Sequence, residues 1–129
     1  MKSLWNNDEA KRFGRSLVDQ RVYSSRLLGA NAHLVLHGGG NTSVKVKQKD
    51  FYGELTDVIY IKGSGCDLAT IGKEGFSPCR LGPLLQMSEM ESVSDSDMTA
   101  QCRASMLDHA APTPSIEAIV HAIIPRRFV

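Results

Sequence analysis

The sequence predicts one domain of mixed α/β class that spans residues 1–129. Apolar residues recur at three- and four-residue steps in several segments, which is the spacing typical of amphipathic helices. Short runs rich in β-branched residues lie between these segments and end in glycine-containing loops, a pattern typical of strands. With 129 residues and a hydrophobic content of 42%, the chain is long enough to bury a core of its own.

Composition and charge exclude several classes of protein. The net charge is +1, so the sequence indicates neither a nucleic-acid partner nor a membrane partner. No apolar run approaches the roughly 20 residues of a membrane span, and the first residues lack the apolar segment of a signal peptide. Three widely spaced cysteines, Cys66, Cys79 and Cys102, argue against a disulfide scaffold or a cysteine-based zinc site. We therefore expect a cytoplasmic protein with reduced, partly buried cysteines.

The first predicted helix runs without a break from about residue 7 to Leu28. Asn6 is a candidate N-cap, Glu9 follows three residues later as in a capping box, and Gly29 is a candidate stop. Apolar residues at helical steps predict its buried face: Phe13, Leu17, Val18, Val22 and Leu27 or Leu28. Charged residues between them predict a solvated face: Lys11, Arg12, Arg15, Asp19 and Arg21.

Residues 34–46, LVLHGGGNTSVKV, are the stretch around which the rest of the chain is organised. The pattern predicts a strand, a tight glycine loop and a second strand. Three consecutive glycines are entropically costly, which indicates a positive φ or a close approach of the backbone. Free N–H groups beside Asn41, Thr42 and Ser43 can hold an anion. Taken alone, a glycine-rich loop is more often a simple hairpin turn.

A second glycine-containing loop follows the next predicted strand. Residues 58–61 form a short β-branched run typical of a buried strand, and Lys62-Gly63-Ser64-Gly65 comes directly after it. Two such loops close together would make a better anion site than either loop alone. Lys62 could contact a phosphate as a point charge, or it could simply end the strand.

Residues 67–107 predict more helix. Asp67 is a candidate cap for a short helix over 68–71, and residues 72–78 are expected to be irregular. Helical spacing returns over 80–90. A further helix is predicted near 97–107, with Ser94 or Ser96 as its cap.

The last predicted helix covers residues 114–124, with Thr113 as N-cap and Pro114 as its first residue. Its isoleucines and valine predict a buried face: Ile116, Ile119, Val120, Ile123 and Ile124. Glu117 and His121 are four residues apart and so lie on one flank of this helix. Residues 126–129 are expected to enter another strand.

Three motifs, in this order and spacing, resemble the class II aldolase/adducin family. They are Gly40-Asn41-Thr42-Ser43, Lys62-Gly63-Ser64-Gly65, and Pro114-Ser115-Ile116-Glu117 with His121. The wider text, with VIYIKGSGCDLATI, GFSPCRLGPLLQM and PTPSIEAIVHAIIP, is similar to the aldolase part of bacterial bifunctional aldolase/short-chain dehydrogenases, which resemble rhamnulose-1-phosphate aldolases. The similarity extends from about Trp5 to Val129.

The resemblance implies a three-layer α/β/α fold with a mainly antiparallel central sheet, of which this chain is the N-terminal portion. It implies an aldolase, commonly tetrameric, that cleaves a ketose 1-phosphate to dihydroxyacetone phosphate and an aldehyde. In this family a zinc ion held by histidines acts as a Lewis acid, and a glutamate moves the proton. Matched onto the motifs, the residues that bind the phosphate of this small-molecule sugar phosphate would be Gly40, Asn41, Thr42, Ser43, Ser64 and Gly65. Glu117 would be the catalytic acid/base.

The sequence departs from the family at the metal site. The family's first zinc histidines, in a His-x-His arrangement, follow the strand that Phe128 and Val129 begin, so residues 1–129 are expected to lack the metal ligands and to be inactive alone. His33 and His37 are expected on one face of a strand about 13 Å apart, too far for one ion. Glu117 with His121 could supply two ligands, although a surface or supporting contact is the preferred interpretation.

Two alternative functions stay open on the sequence. The first is a non-catalytic binding or structural module, as in adducin-like members of the family. The second is a sugar-phosphate epimerase or dehydratase of the same fold, since such relatives share the phosphate loops.

Overall fold

A computed structural model describes residues 2–129 and confirms the mixed α/β class. Five helices are formed: α1 (Asn7–Phe13), α2 (Leu17–Gly29), α3 (Leu81–Ser88), α4 (Asp95–Ala104) and α5 (Ala118–Ile123). Three strands are formed: β1 (Ser43–Lys49), β2 (Leu55–Lys62) and β3 (Phe76–Arg80). A short 3-10 turn at Lys73–Gly75 leads into β3.

The strands form one antiparallel sheet in the order β1-β2-β3. Residues 126–129 lie along the side of β1 opposite β2, as the sequence predicts: Lys45 N donates to Arg127 O at 2.8 Å, and Val44 bridges Phe128. Helix α2 lies on one face of the sheet, and α3 and α5 lie on the other. The three-layer α/β/α arrangement with an antiparallel sheet is therefore confirmed.

Two apolar clusters fill the space between the layers. The larger joins Ile59 and Ile61 of β2 to residues of α3, α4 and α5, with Leu84 fully buried between them. The smaller joins Val22 of α2 to Leu68, Ile71 and Phe76. Cys79 and Cys102 are free and buried in the larger cluster, as expected of reduced cysteines.

The prediction of one unbroken N-terminal helix is wrong, because two helices meet at Gly14. Gly14 has φ +124°, a value that L side chains rarely adopt, and it ends α1. Asn6 caps α1 as predicted, accepting hydrogen bonds from the N–H groups of Asp8 and Glu9. A capping box formed by Ser16 and Asp19 then starts α2.

The predicted strand over residues 34–37 is also wrong. Leu34 N and Val35 N both donate to Asn31 O, so this segment is a turn, and the Leu36 side chain is 80% exposed. The physical reason is that β1 has no free edge to offer: β2 pairs along one side and residues 126–129 lie along the other. His33 and His37 accordingly lie on turns, and the strand spacing expected between them does not apply.

Residues 72–78 are not irregular, because β3 begins at Phe76. Pro78 lies in this strand, which is compatible with its place at the sheet edge, where a missing N–H removes no interior bond. Its carbonyl accepts from Leu107 N on the outer side at 2.8 Å. The short helix predicted over 68–71 is a turn, with Asp67 Oδ1 accepting from Ala69 N at 3.0 Å.

Helices α3 and α4 lie where the periodicity predicts them, and Ser94 caps α4 by accepting from Asp97 N. The last helix is shorter than predicted. Pro114 forms a β-bridge with Gly63, so α5 begins only at Ala118. Its inward side consists of Ala118, His121 and Ala122, and Ile119 packs against the larger cluster as predicted. The predicted burial of Ile116, Val120 and Ile123 is wrong, because these three side chains are exposed.

No helix formed by residues 2–129 has both the length and the apolar character needed to cross a bilayer.

Candidate functional site

Three segments meet at the end of the sheet where β1 begins and β2 ends. They are the glycine loop (residues 37–42), the second loop (residues 63–66) and the segment 113–117. Lys62, the last residue of β2 before the second loop, donates its N–H to Thr42 O at 3.1 Å and so brings the first two segments together. Ser64 N donates to Thr113 O at 2.9 Å, which joins the second loop to the third segment. All six predicted phosphate residues and Glu117 lie on these segments or on the first residue of β1.

The glycine loop turns into β1 at Gly40, whose φ of +72° favours glycine. A Cβ at Gly40 would lie 2.9 Å from Leu68 Cδ1 and 3.1 Å from Val35 Cγ1, so the backbone also packs closely against the smaller apolar cluster. The N–H groups of Gly40, Asn41 and Thr42 donate to no acceptor within residues 2–129. Successive backbone N–H groups of this kind can bind an anion.

The side chains of Thr42 and Ser43 fix the loop to the two helix layers. Both residues are buried, and they point to opposite faces of the sheet as neighbours on a strand do. Thr42 Oγ1 lies 2.8 Å from Ser25 Oγ on α2, and Ser43 Oγ lies 2.9 Å from His121 Nδ1 on α5. These hydroxyls are engaged inside the protein, so the backbone N–H groups are the donors left for a ligand.

Asn41 connects the glycine loop to the predicted acid/base. Its Nδ2 donates to Glu117 Oε2 at 2.6 Å, across 76 positions of sequence. Ser115 Oγ lies 3.4 Å from the same oxygen, while Oε1 of Glu117 takes part in no hydrogen bond with residues 2–129. Asn41 Oδ1 is buried and, within residues 2–129, has no hydrogen-bond partner. A buried acceptor without a donor is costly, so this oxygen is suited to a ligand hydroxyl.

Burial shifts the pKa values of two basic groups beneath the site, His121 and Arg21. Burial lowers the pKa of His121, and the Glu117 carboxylate opposes that shift. The imidazole is thus held in its neutral form beside Ser43. Burial also lowers the pKa of the Arg21 guanidinium, to about 10. Arg21 Nη1 donates to Ser43 O and Val129 O at 3.2 and 2.9 Å, which corrects its predicted place on a solvated face.

Ser64 and Gly65 form the exposed tip of the second loop. The N–H of Ser64 donates to Thr113 O, and the N–H of Cys66 donates to Gly63 O within the loop. A contact between His37 Nδ1 and Asp67 Oδ2, 2.7 Å apart, links the glycine loop to the residues after the second loop. The glycine loop and the second loop, both predicted to bind phosphate, are therefore adjacent. Phosphate binding itself stays a prediction.

The residues that the structure describes do not fit the zinc implied by the family. Within residues 2–129 there is no group of three or more His, Cys, Asp or Glu side chains that could hold a metal ion. Of the two residues considered as a ligand pair, His121 Nδ1 is engaged with Ser43 Oγ and Glu117 Oε2 accepts from Asn41 Nδ2.

Sequence reasoning missed several residues that support the site. The sequence pattern predicts Arg21 on a solvated face, and it gives no role to Ser25 or to the contact of His37 with Asp67. The available signal was positional: Arg21 and Ser25 are four residues apart, so they share one side of α2, and both are buried there together with Val22. A polar residue on the apolar face of a helix indicates a buried hydrogen bond.

The comparisons with known proteins extend over nearly the whole chain. No protein-family model matches the sequence. A Bacillus subtilis (strain 168) protein named uncharacterized oxidoreductase YuxG is 35% identical over 129 residues, which are 100% of this chain and 19% of that protein. A solved structure, the N-terminal class II aldolase domain of a conserved protein from Thermoplasma acidophilum, is 37% identical with a TM-score of 0.88. That match covers 99% of this chain and 58% of the solved one. The chain thus spans about a fifth of the curated relative and somewhat more than half of the solved structure.

Proposed function

Because the chain has the fold of a class II aldolase domain and resembles that family along its length, we propose that it supplies the phosphate-binding and proton-transfer parts of a sugar-phosphate aldolase. The substrate would be a ketose 1-phosphate such as rhamnulose 1-phosphate. The products would be dihydroxyacetone phosphate and an aldehyde. The observation that carries the proposal is the 2.6 Å hydrogen bond from Asn41 to Glu117, which joins the glycine loop to a carboxylate.

The phosphate would bind at the junction of the glycine loop and the second loop. Uncommitted N–H groups at Gly40, Asn41 and Thr42 support this placement, since successive N–H groups favour an anion. Ser64 and Gly65 are exposed beside them and would close the site. The buried Asn41 Oδ1 would accept from a hydroxyl of the sugar.

Glu117 would move the proton. Its Oε2 is held by Asn41, so the carboxylate is oriented and Oε1 is available to the substrate. In aldol cleavage the C3–C4 bond breaks, its electron pair stays on C3 of the dihydroxyacetone phosphate fragment, and the C4 hydroxyl loses its proton as the aldehyde forms. Glu117 would carry a proton between the substrate and C3. The zinc that the family uses would come from ligands outside the described residues, so we expect no turnover by residues 1–129 alone.

Calorimetric titration of the 129-residue chain tests the binding part of the proposal. We expect saturable one-to-one binding of dihydroxyacetone phosphate and no binding of dihydroxyacetone at the same concentration. Glu117→Gln serves as a matched variant, because a glutamine oxygen can still accept from Asn41 and phosphate binding should persist. Absence of saturable binding by the wild-type chain would contradict the phosphate site and favour the non-catalytic module.

Turnover is tested in a longer protein that contains this chain. Incubation with rhamnulose 1-phosphate should release dihydroxyacetone phosphate, detected by its enzymatic reduction with NADH. Glu117→Gln should remove most of this turnover, since proton transfer by a positioned group typically contributes about 100-fold or more. Unchanged turnover in that variant rejects the role of Glu117, and an epimerised or dehydrated product identifies the alternative enzymes of the same fold.

A further inference from the structure

Two hydrogen bonds join the start of β1 to the first turn of α5. Asn41 Nδ2 donates to Glu117 Oε2 at 2.6 Å, and Ser43 Oγ lies 2.9 Å from His121 Nδ1. Thr42, which lies between Asn41 and Ser43, contacts α2 instead. Asn41 and Ser43 therefore face α5 together, as alternate residues of an extended chain do. Glu117, the N-cap residue of α5, and His121 lie on one flank of this helix.

The spacing of these two contacts is the same on both sides. Residues two apart on an extended chain are separated by about 6.6 Å. Residues four apart on a helix are separated by about 6 Å along its axis. The N–H of His121 donates to Glu117 O at 3.1 Å, so this turn of α5 is hydrogen-bonded as a regular helix. Both contacts can thus form at once, and a shift of α5 by one residue would break both.

Ser43 is the rigid end of the buried contact. Its side chain is fully buried, and it pairs with Ile61 of β2. Its N–H donates to Val129 O at 2.8 Å, and its carbonyl accepts from Val129 N and Arg21 Nη1, each at 3.2 Å. Because the chain is paired on both sides of Ser43, the hydroxyl group has a fixed position in the sheet.

The inward side of α5 consists mostly of alanine. This helix has only six residues, too few to be stable without packing. Ala118 and Ala122 are buried, and Ile119 packs at the border of the larger cluster. Small methyl groups allow a helix to rotate about its axis with little loss of contact. A hydrogen bond constrains angle as well as distance, so His121 fixes the rotation of α5 more narrowly than the alanines do.

The two contacts differ in their exposure to water. Ser43 is 0% and His121 is 8% exposed, so water is excluded from the contact between them. The contact of Asn41 with Glu117 is exposed. Water competes for the partners of an exposed hydrogen bond and leaves it a small net contribution, whereas low polarity strengthens a buried one. The exposed contact therefore depends on the buried contact for its geometry.

We propose that His121 is a positioning residue: through its contact with Ser43 it sets the rotation of α5 and thereby holds the Glu117 carboxylate against Asn41 at the glycine loop. The inference rests on the proposed function, because it concerns the acid/base assigned there. Loss of the buried contact lets α5 rotate and carries Glu117 away from the substrate. A displacement of a catalytic group by about 1 Å can lower a rate by about 100-fold.

The side-chain amide of Asn41 reports the position of Glu117 in the 129-residue chain. Exchange of its Nδ2 protons with solvent is measured by NMR. Ser43→Ala removes the buried contact, so this exchange should become about tenfold faster. Ser25→Ala is the matched control, because Ser25 is also fully buried but contacts Thr42 on the opposite face of the sheet. It should leave the exchange at the wild-type rate.

Two substitutions of His121 separate the hydrogen bond from the volume of the side chain. In His121→Asn the amide group lies where Nδ1 lies and can still contact Ser43, so exchange at Asn41 should stay near the wild-type rate. In His121→Gln the amide group lies where Nε2 lies, so exchange should be as fast as in Ser43→Ala. In a longer protein that contains this chain, His121→Gln should lower kcat for rhamnulose 1-phosphate by about tenfold or more with KM little changed. His121→Asn should keep most of that kcat.

The outcomes separate this inference from the proposed function. Wild-type exchange at Asn41 in Ser43→Ala and His121→Gln, or equally fast exchange in Ser25→Ala, overturns the role of His121 and leaves phosphate binding by the wild type untouched. Equal losses of kcat in His121→Asn and His121→Gln also overturn it, because the volume of the side chain would then explain both. A longer wild-type protein without turnover contradicts the proposed function, and exchange at Asn41 still decides whether His121 holds Glu117.

Discussion

Gly29 offers a sharp test of how α2 packs against the segment that follows the second loop. It is the last residue of α2. A Cβ at this position would lie 2.3 Å from Ala69 N and 2.5 Å from Leu68 C, both backbone atoms. Backbone atoms cannot rotate away as a side-chain end can, so Gly29→Ala must push α2 and residues 68–69 apart by about 1 Å to reach ordinary van der Waals contact.

The expected magnitude follows from two opposing effects. Alanine is favoured over glycine in a helix by about 0.5–1 kcal/mol. Overpacking a close contact costs typically about 1–3 kcal/mol, and a contact with backbone belongs at the upper end of that range. The net effect is a loss of about 2 kcal/mol in the free energy of unfolding. For a chain of 129 residues this lowers the Tm by roughly 5–10 °C.

Gly82→Ala is the matched control. Gly82 lies in α3, and a Cβ there would meet no heavy atom within 4 Å. The same substitution should therefore stabilise the protein, by up to about 1 kcal/mol. Thermal and guanidinium unfolding followed by circular dichroism measures both variants. A Gly29→Ala protein as stable as Gly82→Ala would refute the close packing of α2 on Leu68 and Ala69, and with it the support of the glycine loop.

Two further predictions concern buried polar contacts. Burial lowers the pKa of His121 in the folded protein. As the pH decreases, the unfolded chain therefore binds a proton at this residue before the folded protein does. The contribution of the neutral imidazole to stability should be fully present above pH 6.5 and should be lost progressively below it. His121→Asn should flatten the dependence of the unfolding free energy on pH between 7.5 and 5. The control His33→Asn, at an exposed position, should keep the wild-type dependence. Equal slopes in the wild type and both variants would exclude the buried imidazole. Tyr23→Phe should cost about 1 kcal/mol in chemical unfolding, because the hydroxyl donates to Glu9 Oε2 at 2.9 Å and accepts from Asn6 N at 3.2 Å. A variant as stable as wild type would show that this contact does not hold α1 to α2.

Features encoded by neighbouring residues could be predicted from the sequence. The caps at Asn6 and Ser94 follow from short-range side-chain chemistry, and the β-branched run 58–61 lies in β2 as expected. The three-layer arrangement followed from the resemblance, because the order of strands in a sheet is not present in any local pattern.

Features set by distant contacts could not be predicted in this way. The start of α5 is shifted by the bridge from Pro114 to Gly63, although Thr113-Pro114 is a good helix start locally. Its inward face is taken by two alanines and His121 rather than by the larger Ile116 and Val120, because Ser43 offers His121 a partner across the sheet. Tertiary pairing outweighed local propensity at both points.

The same distinction applies to the candidate site. The glycine loops could be recognised from composition. The contact of Asn41 with Glu117 spans 76 positions and was not predicted, since the family motifs assign the two residues to one site without pairing them. Burial of Lys62 could not be anticipated either, since strand ends are usually exposed and nothing in the sequence indicates the layer that α2 and Leu68 build over it.

Amide resonances of the 129-residue chain provide the most direct test of the central claim, that two loops at one end of the sheet form a single site for a phosphorylated sugar. Titration with dihydroxyacetone phosphate should shift the signals of Gly40, Asn41, Thr42 and Gly65 together, with one saturation curve. Dihydroxyacetone should leave them in place. Signals that do not move, or that move in the two loops with different saturation curves, would contradict the shared site.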